Sequence, residues 1–179
     1  WKETMGVPST LIADQIKSRR KARTKLPLFY KTTGVIYPPS LNLEQSSSEA
    51  TATFKRDLIS KLLTKRDRFC DLTGGFGIDS FFISNAFARC EFIEPNESLL
   101  EIAKHNHRLL GATNIDYLNT TAEEFLNRKS AFDLVYIDPS RRDKSKNRVA
   151  GFKDCEPNVI DVFCSAEVTQ RDEGYAEGD

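Results

Sequence analysis

A glycine-rich turn between an apolar strand and a helical segment constrains the fold of this chain more than any other feature. The turn comprises Asp71-Leu72-Thr73-Gly74-Gly75-Phe76-Gly77, between strand-like residues 68–70 and helix-like residues 78–83. Such a turn exposes backbone N–H groups and the positive end of a helix dipole, where a nucleotide-like ligand can lie against the main chain. The pattern is typical of a cofactor-binding loop, although glycines also close strand-to-helix connections that bind nothing.

Two later segments favour the cofactor interpretation. Residues 90–96 contain a second short apolar run that ends in Glu94, where an open α/β sheet places a carboxylate for ribose hydroxyls. Residues 132–137 form an apolar and aromatic run that is followed by Asp138 and Pro139. Because ligands bind beyond the carboxyl ends of parallel strands, the three segments predict one site at one edge of a sheet.

The alternation of strand and helix patterns after residue 67 favours an α/β fold, in which helices wrap a parallel sheet. The predicted strands cover 68–72, 90–94, 114–118 and 132–137, and the predicted helices cover 77–88, 97–110 and 122–129. Right-handed crossovers bring the loops of interest to one edge. A complete domain of this class needs further strands, but only a polar, acidic tail follows Val162, so we expect an incomplete sheet.

The segment before the sheet reads as a helical extension. We divide the chain into a helical and extended segment (1–63), an α/β core (64–162) and an acidic tail (163–179). Residues 28–45 are predicted to be an extended connector, with 35–37 as a candidate short strand. A helix over 47–63 follows, in which Ser46 and Glu49 have the spacing of a capping box.

A basic helix is predicted near the start of the chain. Its apolar stripe consists of Leu11, Ile12, Ile16 and Leu26, and Pro27 ends it. Between residues 17 and 25 it carries bases and no acid, namely Lys17, Arg19, Arg20, Lys21, Arg23 and Lys25. The cluster is typical of a phosphate-binding surface such as one for RNA, and the alternative is a solvated helix face.

Composition argues for a soluble cytoplasmic protein without metal. The four cysteines form no C-x-x-C pair, and His105 and His107, both expected on the surface, do not share a helix face, so neither zinc nor disulfides are indicated. Buried reduced thiols are expected. No apolar run has membrane-spanning length, and the start shows no signal pattern. Because the chain does not begin with methionine, we expect a piece of a longer protein.

The order of these motifs resembles the class I S-adenosylmethionine-dependent methyltransferases. Within them the chain looks closest to bacterial proteins with a THUMP-like C-terminal domain, relatives of the trimethylguanosine-synthase type of RNA guanine methyltransferase. A polar helix start over 43–51, just upstream of the glycine-rich turn, strengthens the resemblance, which covers roughly residues 11 to 162. The resemblance implies a Rossmann-like sheet, S-adenosylmethionine as cofactor, and methylation of an exocyclic amine of a base in RNA.

The resemblance also implies a set of cofactor-binding residues. They are Asp71, Thr73, Gly74, Gly75, Gly77, Glu94, Pro95, Asn96, Thr121, Glu123 and Asp138. Asp71 would receive the cofactor's amino group, with capping of the turn as the alternative, and the glycines would let the main chain approach the cofactor. Glu94 would accept both ribose hydroxyls. The adenine amino group would be held by Thr121, Glu123 or a backbone carbonyl.

The residues after the fourth strand imply the reaction type. Amino-group methyltransferases typically have an acid or Asn, two prolines and an aromatic ring, whereas this chain has Asp138-Pro139-Ser140-Arg141. Asp138 would orient the amine, Arg141 could stack on a base, and Tyr37 or Phe152 could supply the ring. RNA would bind Lys17, Arg19, Arg20 and Arg142, the last within a second basic stretch that reads alternatively as a mobile solvated loop. The rival functions are a noncatalytic RNA-binding module and a nicotinamide-dependent oxidoreductase.

Overall fold

The computed structural model describes residues 3–128 and 130–139. Its elements are β1 (Glu3–Thr4), β2 (Val7–Pro8), α1 (Ser9–Lys25), α2 (Pro27–Lys31), α3 (Ser40–Gln45), α4 (Glu49–Leu62), β3 (Arg68–Asp71), α5 (Ile78–Ser84), β4 (Arg89–Ile93), α6 (Glu97–Leu109), β5 (Ile115–Leu118), α7 (Ala122–Leu126) and β6 (Leu134–Tyr136). The predicted residues Ser140, Arg141, Arg142 and Phe152, the second basic stretch and the acidic tail lie outside the described residues.

A parallel sheet with the strand order β5-β4-β3-β6 forms the centre of the described chain. All of its strand pairs are parallel, and Asp71 at the end of β3 pairs with Phe92 of β4 and Tyr136 of β6. The chain runs from β3 outward to β4 and β5 and then returns to the other side of β3. This reversal creates a crevice between the carboxyl ends of β3 and β6, where open α/β sheets bind ligands. The predicted α/β fold with a parallel sheet is confirmed.

Helices cover both faces of this sheet because the central strands are apolar on both sides. On one face, Phe69 packs with Ile83 of α5 and with Phe87. On the other face, Cys70 packs with Ile93 and with Phe125 of α7. These neighbours on β3 point to opposite faces, as the strand pleat requires. Both described cysteines, Cys70 and Cys90, are buried free thiols.

Two core helices end earlier than expected, and at the end of the first, asparagine side chains bind the carbonyls of the last turn. Helix α5 ends at Ser84 rather than at residue 88, where Asn85 Nδ2 donates to Phe81 O at 2.9 Å. Asn114 Nδ2 donates to Ser84 O, also at 2.9 Å. Helix α7 similarly ends at Leu126 rather than at 129, with Asn127 as its C-cap.

The expected apolar stripe of α1 is wrong in detail. Leu11 and Ile16 are 56% and 51% exposed, whereas Ser18 and Ala22 are buried. Small side chains on the inner face let the helix backbone approach its neighbours closely. Ala22 and Leu26 there join a core cluster with residues of α2 to α5, including Phe29. The helix ends at Lys25, and Pro27 begins α2, where its missing N–H costs no helical hydrogen bond.

The expected extended connector over 28–45 is also wrong, because α2 and α3 occupy much of it. The candidate strand at 35–37 does not form. Its backbone is bound by side-chain amides instead: Ile36 N donates to Asn106 Oδ1 at 2.9 Å, and Asn106 Nδ2 donates to Ile36 O at 2.8 Å. Tyr37 N donates to Gln15 Oε1 at 3.0 Å. Tyr37 itself is buried and therefore does not supply an accessible ring.

The start of α4 differs from the expected capping box. Ser48, not Ser46, is the N-cap residue, and its hydroxyl accepts a hydrogen bond from Thr51 N at 3.1 Å. Glu49 instead accepts a hydrogen bond from Leu28 N at 2.8 Å, which fixes α2 against α4. Three consecutive serines offer several N-cap choices, and this contact between helices favours the last of them.

Candidate functional site

Gly74 brings the glycine-rich turn close to β4. Its N–H donates to Ile93 O at 2.9 Å, and a Cβ built on Gly74 would lie 2.4 Å from the buried Phe92 ring. No side chain fits at that distance. The need for glycine at this position therefore comes from packing against the sheet, whereas the sequence attributed it to the approach of a cofactor.

We expect Gly74→Ala to lower the free energy of unfolding by about 3 kcal/mol, because overpacking a close contact strains the surrounding core. Denaturant unfolding of the full-length protein measures this change. Gly75→Ala is the comparison variant: among the described residues a Cβ there meets only Thr73 O at 3.7 Å, so its cost is limited to the strain of a positive φ of 55°, about 1 kcal/mol. Replacing the Phe92 ring with the smaller leucine side chain should recover part of the lost free energy of unfolding when it is combined with Gly74→Ala. Equal destabilisation by the two glycine substitutions would contradict this account.

Gly77 is fixed by a buried histidine. It has a positive φ of 80°, and its Cβ position lies 2.6 Å from His107 Nε2. His107 Nε2 is 2.9 Å from Gly77 O, and Nδ1 is 3.0 Å from the Tyr117 hydroxyl. Burial lowers the pKa of His107 to about 4, so the neutral ring donates from Nε2 to Gly77 and accepts at Nδ1 from Tyr117.

The prediction that both histidines lie on the surface is wrong for His107, although His105 is exposed. His107 continues the buried face of α6 that includes Leu100 and Ala103 at helical spacing. That periodicity was the signal available in the sequence. His107 therefore supports the end of the glycine-rich turn from α6.

Gly75 is the glycine of the turn with open space above it. Its φ is 55°, and its N–H donates to Glu94 Oε2 at 2.7 Å. A positive φ favours glycine here, and beyond its two chain neighbours none of the described side chains lies within 4 Å of its Cβ position, so the main chain is approachable. The described turn therefore offers a ligand its main chain at Gly75.

Glu94 follows β4 and is only 8% exposed. Its Oε2 accepts the bond from Gly75 N, and its Oε1 accepts a bond from Asn96 N at 2.7 Å. Burial raises the pKa of Glu94, and these two backbone bonds oppose that rise. A carboxylate can accept about four hydrogen bonds, so each oxygen keeps capacity for a further donor. Glu94 is thus held rigidly beside the open side of Gly75.

Asp71 is buried at the end of β3, and its own turn occupies both of its oxygens. Oδ1 accepts hydrogen bonds from Thr73 N at 2.9 Å and Thr73 Oγ1 at 3.3 Å, and Oδ2 accepts one from Ser80 Oγ. Burial raises the pKa of Asp71 to about 6, although these bonds oppose the rise. The geometry matches the capping role that was the alternative to cofactor contact.

Thr73 joins the two loops that border the crevice. Its Oγ1 donates to Asp71 and accepts a hydrogen bond from Asp138 N at 2.7 Å. This bond anchors the Asp138 main chain, whereas the exposed Asp138 carboxylate faces solvent. Pro139 is the last described residue and is half-buried. The structure therefore brings Thr73 and Asp138 together, as the sequence motifs predict for one edge of the sheet.

The predicted adenine-contacting loops lie beside Glu94. Asn119 Nδ2 donates to Glu94 O and to Pro95 O, both at 3.0 Å, and this links the loops after β4 and β5. Asn96 is the N-cap of α6, and its Oδ1 accepts from Leu99 N at 3.2 Å. Thr121 caps α7, and Glu123 is exposed in the first turn of that helix. These residues shape the wall of the crevice through their capping contacts.

A polar cluster next to the turn was missed by the sequence reasoning. It consists of Ser47, Lys55, Asp79 and Tyr136, which come from α4, the residues before it, α5 and β6. Asp79 Oδ2 accepts hydrogen bonds from Ser47 Oγ at 2.8 Å, Lys55 Nζ at 2.9 Å and Tyr136 OH at 3.0 Å. The signal in the sequence was Asp79, an acid two residues after the last glycine of the turn. The structure shows that Asp79 is buried rather than solvated.

The site is acidic. The carboxylates of Asp71, Asp79, Glu94 and Asp138 come from the ends of β3, β4 and β6 and from the first turn of α5. Asp79 occupies that first turn, where a phosphate group would otherwise meet the positive end of the helix. Such a crevice favours a ligand with positive charge over one with a diphosphate.

The basic face of α1 is partly used within the protein. Lys21 forms an ion pair with Glu44, and Lys25 Nζ donates to Leu43 O at 2.7 Å. The Arg19 guanidinium lies 5.2 Å from the centre of the Tyr30 ring. Lys17, Arg20 and Arg23 are exposed and have no ion-pair partner among the described residues. Half of the cluster is thus available to an external partner.

Residues 3–128 and 130–139 contain no cluster of three or more His, Cys, Asp or Glu residues placed to hold a metal ion. The helices of this part of the chain include none with the length and apolar character that crossing a membrane requires.

Comparison with known proteins identifies the fold. No family model matches the chain. A curated but uncharacterized RNA methyltransferase from Protochlamydia amoebophila is 23% identical over 141 residues, which cover 76% of this chain and 32% of that protein. The crystal structure of a candidate methyltransferase from Porphyromonas gingivalis has a TM-score of 0.71 and 29% identity, covering 90% of this chain and 40% of that one. A candidate RNA methyltransferase from Pyrococcus horikoshii has a TM-score of 0.55 and 17% identity, with coverage of 80% and 69%.

These likenesses define the class of fold. The chain has the Rossmann-like α/β fold of the class I methyltransferases, as the motifs imply. It spans about a third of the length of the curated relative. The glycine-rich turn and Glu94 lie at the topological switch point of that fold.

Proposed function

We propose that this chain is the cofactor-binding part of an S-adenosylmethionine-dependent methyltransferase that modifies an exocyclic amine of a base in RNA. The observation that carries the proposal is the pairing of Glu94 with Gly75: a rigid, buried carboxylate lies beside an approachable main chain at the switch point. Two vicinal hydroxyls of a ribose match the remaining acceptor capacity of Glu94. The similarity to methyltransferases supports the same cofactor.

The charge of the crevice supports S-adenosylmethionine over a nicotinamide dinucleotide. S-adenosylmethionine carries a net positive charge through its sulfonium and ammonium groups, whereas a dinucleotide carries a diphosphate. Asp79 in the first turn of α5 and the buried Asp71 would repel a diphosphate at the position where dinucleotide-binding folds hold it. The oxidoreductase alternative is therefore disfavoured.

The residues of the chain have defined roles in this proposal. The cofactor supplies an already activated methyl group, so the protein needs mainly to position the reacting groups. Glu94 and Gly75 hold the nucleoside. Asp138 orients the target amine and stabilises the positive charge that develops on its nitrogen. Thr73 keeps the Asp138 main chain at a constant position relative to the cofactor turn.

RNA as the substrate is supported by two observations. The Protochlamydia relative bears the name of an RNA methyltransferase. Lys17 and Arg20 on α1 are exposed cations without an ion-pair partner in the described part of the chain, which suits contact with phosphates. We include the relationship to proteins with a THUMP-like domain in the proposal, because such a domain would extend the RNA-binding surface.

The test is a labelling experiment with the full-length protein. Incubation with tritiated S-adenosylmethionine and separate pools of RNA, protein and small molecules should label the RNA pool. Reversing the charges of Lys17 and Arg20 together should reduce the labelling of RNA. It should also make RNA binding less dependent on salt concentration, because fewer phosphate contacts release fewer counterions. Labelling of another pool would refute RNA as the substrate. Cofactor binding without transfer to any pool would favour the noncatalytic module.

A further inference from the structure

The carboxylate of Asp79 is used on one side only. Its Oδ2 accepts three hydrogen bonds, from Ser47, Lys55 and Tyr136. Its Oδ1 is buried and has no hydrogen-bond partner among the described residues. The residue as a whole is 9% exposed. A buried acceptor without a donor is costly, and native proteins keep few of them, so this oxygen points to a donor that a ligand supplies.

The position of Asp79 places this oxygen at the proposed cofactor site. Asp79 follows Gly77 by two residues in the first turn of α5. Its partner Tyr136 pairs directly with Asp71 across β3 and β6. Tyr136 OH donates to Asp79 Oδ2 at 3.0 Å, and Asp138 follows Tyr136 by two residues, with its N–H bound by Thr73 Oγ1 of the turn at 2.7 Å. The cluster therefore lies between the glycine-rich turn and Asp138.

Asp71 is poorly suited to bind the amino group of the cofactor. Thr73 and Ser80 already donate to both of its oxygens, and the side chain is buried beneath the turn. Asp79 offers an oxygen with no competing donor, and Lys55 offers a cation beside it. The Lys55 side chain is 26% exposed, and its ammonium group donates to Ser47 Oγ at 3.0 Å, Asp79 Oδ2 at 2.9 Å and Tyr136 OH at 2.5 Å. Adjacent opposite charges match the ammonium and carboxylate of an α-amino acid.

We propose that Asp79 and Lys55 bind the amino-acid end of S-adenosylmethionine, with Asp79 Oδ1 accepting from its ammonium group and Lys55 and Ser47 donating to its carboxylate. The inference rests on the proposed function. When the ligand enters, Lys55 Nζ and Ser47 Oγ, which lie 2.9 Å and 2.8 Å from Asp79 Oδ2, turn from that oxygen to the ligand carboxylate, and Tyr136 remains its donor. One internal ion pair is thereby exchanged for two between protein and ligand, each strengthened by low solvent access.

Calorimetry with three nucleosides tests this assignment. S-adenosylmethionine contains the amino-acid group and a sulfonium, whereas 5′-methylthioadenosine is a neutral thioether without that group. S-adenosylhomocysteine carries the amino-acid group on a neutral thioether, so it should show the same losses as S-adenosylmethionine if the amino-acid group, and not the sulfonium, is what the subsite binds. In the full-length protein, Asp79→Asn should weaken S-adenosylmethionine binding by roughly 10- to 100-fold, because a charged hydrogen bond is lost. Binding of 5′-methylthioadenosine should stay within about twofold of wild type. Lys55→Met should show the same selective loss of affinity for S-adenosylmethionine. This variant tests the subsite if the Asp79→Asn protein does not fold.

The outcomes separate this inference from the proposed function. If the wild-type protein binds none of the three nucleosides, the proposed cofactor is wrong. If the wild type binds all three and neither substitution changes the affinity for S-adenosylmethionine, the cofactor assignment stands and the amino-acid subsite is refuted. Equal losses for S-adenosylmethionine and 5′-methylthioadenosine would also refute the subsite, since they would show that Asp79 and Lys55 act on the shape of the crevice rather than on the amino-acid group.

Discussion

Replacing Glu94 with alanine is expected to weaken binding of S-adenosylmethionine by roughly 100-fold, or about 3 kcal/mol. The substitution removes the acceptor for the ribose hydroxyls. It also releases Gly75 N and Asn96 N, which Glu94 holds at 2.7 Å each, so the turn loses its fixed position. Isothermal titration calorimetry with the full-length protein measures the affinity.

Two controls separate the loss of the ligand contact from damage to the fold. Glu101→Ala removes a carboxylate on the exposed side of α6, where its ion pair with Lys104 is solvated, and should leave the affinity unchanged. Thermal unfolding reports the cost of the two freed N–H groups. A folded Glu94→Ala protein that binds S-adenosylmethionine as tightly as wild type would disprove the role of Glu94.

Replacing Asp138 with alanine is expected to lower kcat by roughly 100- to 1,000-fold while cofactor affinity changes little. The substitution removes the oxygen that orients the target amine. It leaves the bond from the backbone N–H of residue 138 to Thr73 Oγ1, at 2.7 Å, so the loop keeps its position. Steady-state kinetics with labelled cofactor and the RNA pool provide kcat, and calorimetry provides the affinity.

Asp138→Asn is the matched variant for this prediction. Its amide oxygen can still accept a hydrogen bond from the amine, so it should retain more activity than the alanine variant. Normal turnover by Asp138→Ala would exclude Asp138 from the reaction. A large loss of cofactor affinity in the same variant would instead assign Asp138 to cofactor binding, which the sequence motif also allows.

The strands and the turn that form the site could be predicted from the sequence because their determinants are local. The run 71–77 carries its own glycines, and Glu94 and Asp138 follow apolar runs whose ends are visible in the sequence. Right-handed crossovers then bring the carboxyl ends of these strands to one edge of a parallel sheet, although the strand order itself is known only from the structure. Local patterns therefore suffice for the position of the crevice.

The support of the site could not be predicted, because it depends on contacts between distant parts of the chain. The Asn106 side-chain amide binds the backbone N–H and C=O of Ile36, as a neighbouring strand would, although the two residues are 70 positions apart in the sequence. His107 of α6 binds Gly77 O. The amphipathic pattern of α6 predicts that His107 lies on the buried face, but it does not predict which residue His107 binds. The reasons for glycine at 74 and 77 are likewise the Phe92 ring and His107. Such three-dimensional neighbours have no signature in the order of the residues.

The hydroxyl of Thr73 has a consequence for how methyl donor and acceptor can be aligned. It bonds to the Asp71 carboxylate on one strand and to the Asp138 main chain on the other. The two loops that border the crevice are thus fixed to a common atom, so a displacement of one strand end moves the other. In the proposed methyl transfer, lateral error between donor and acceptor would be limited by these two hydrogen bonds, of 3.3 Å and 2.7 Å.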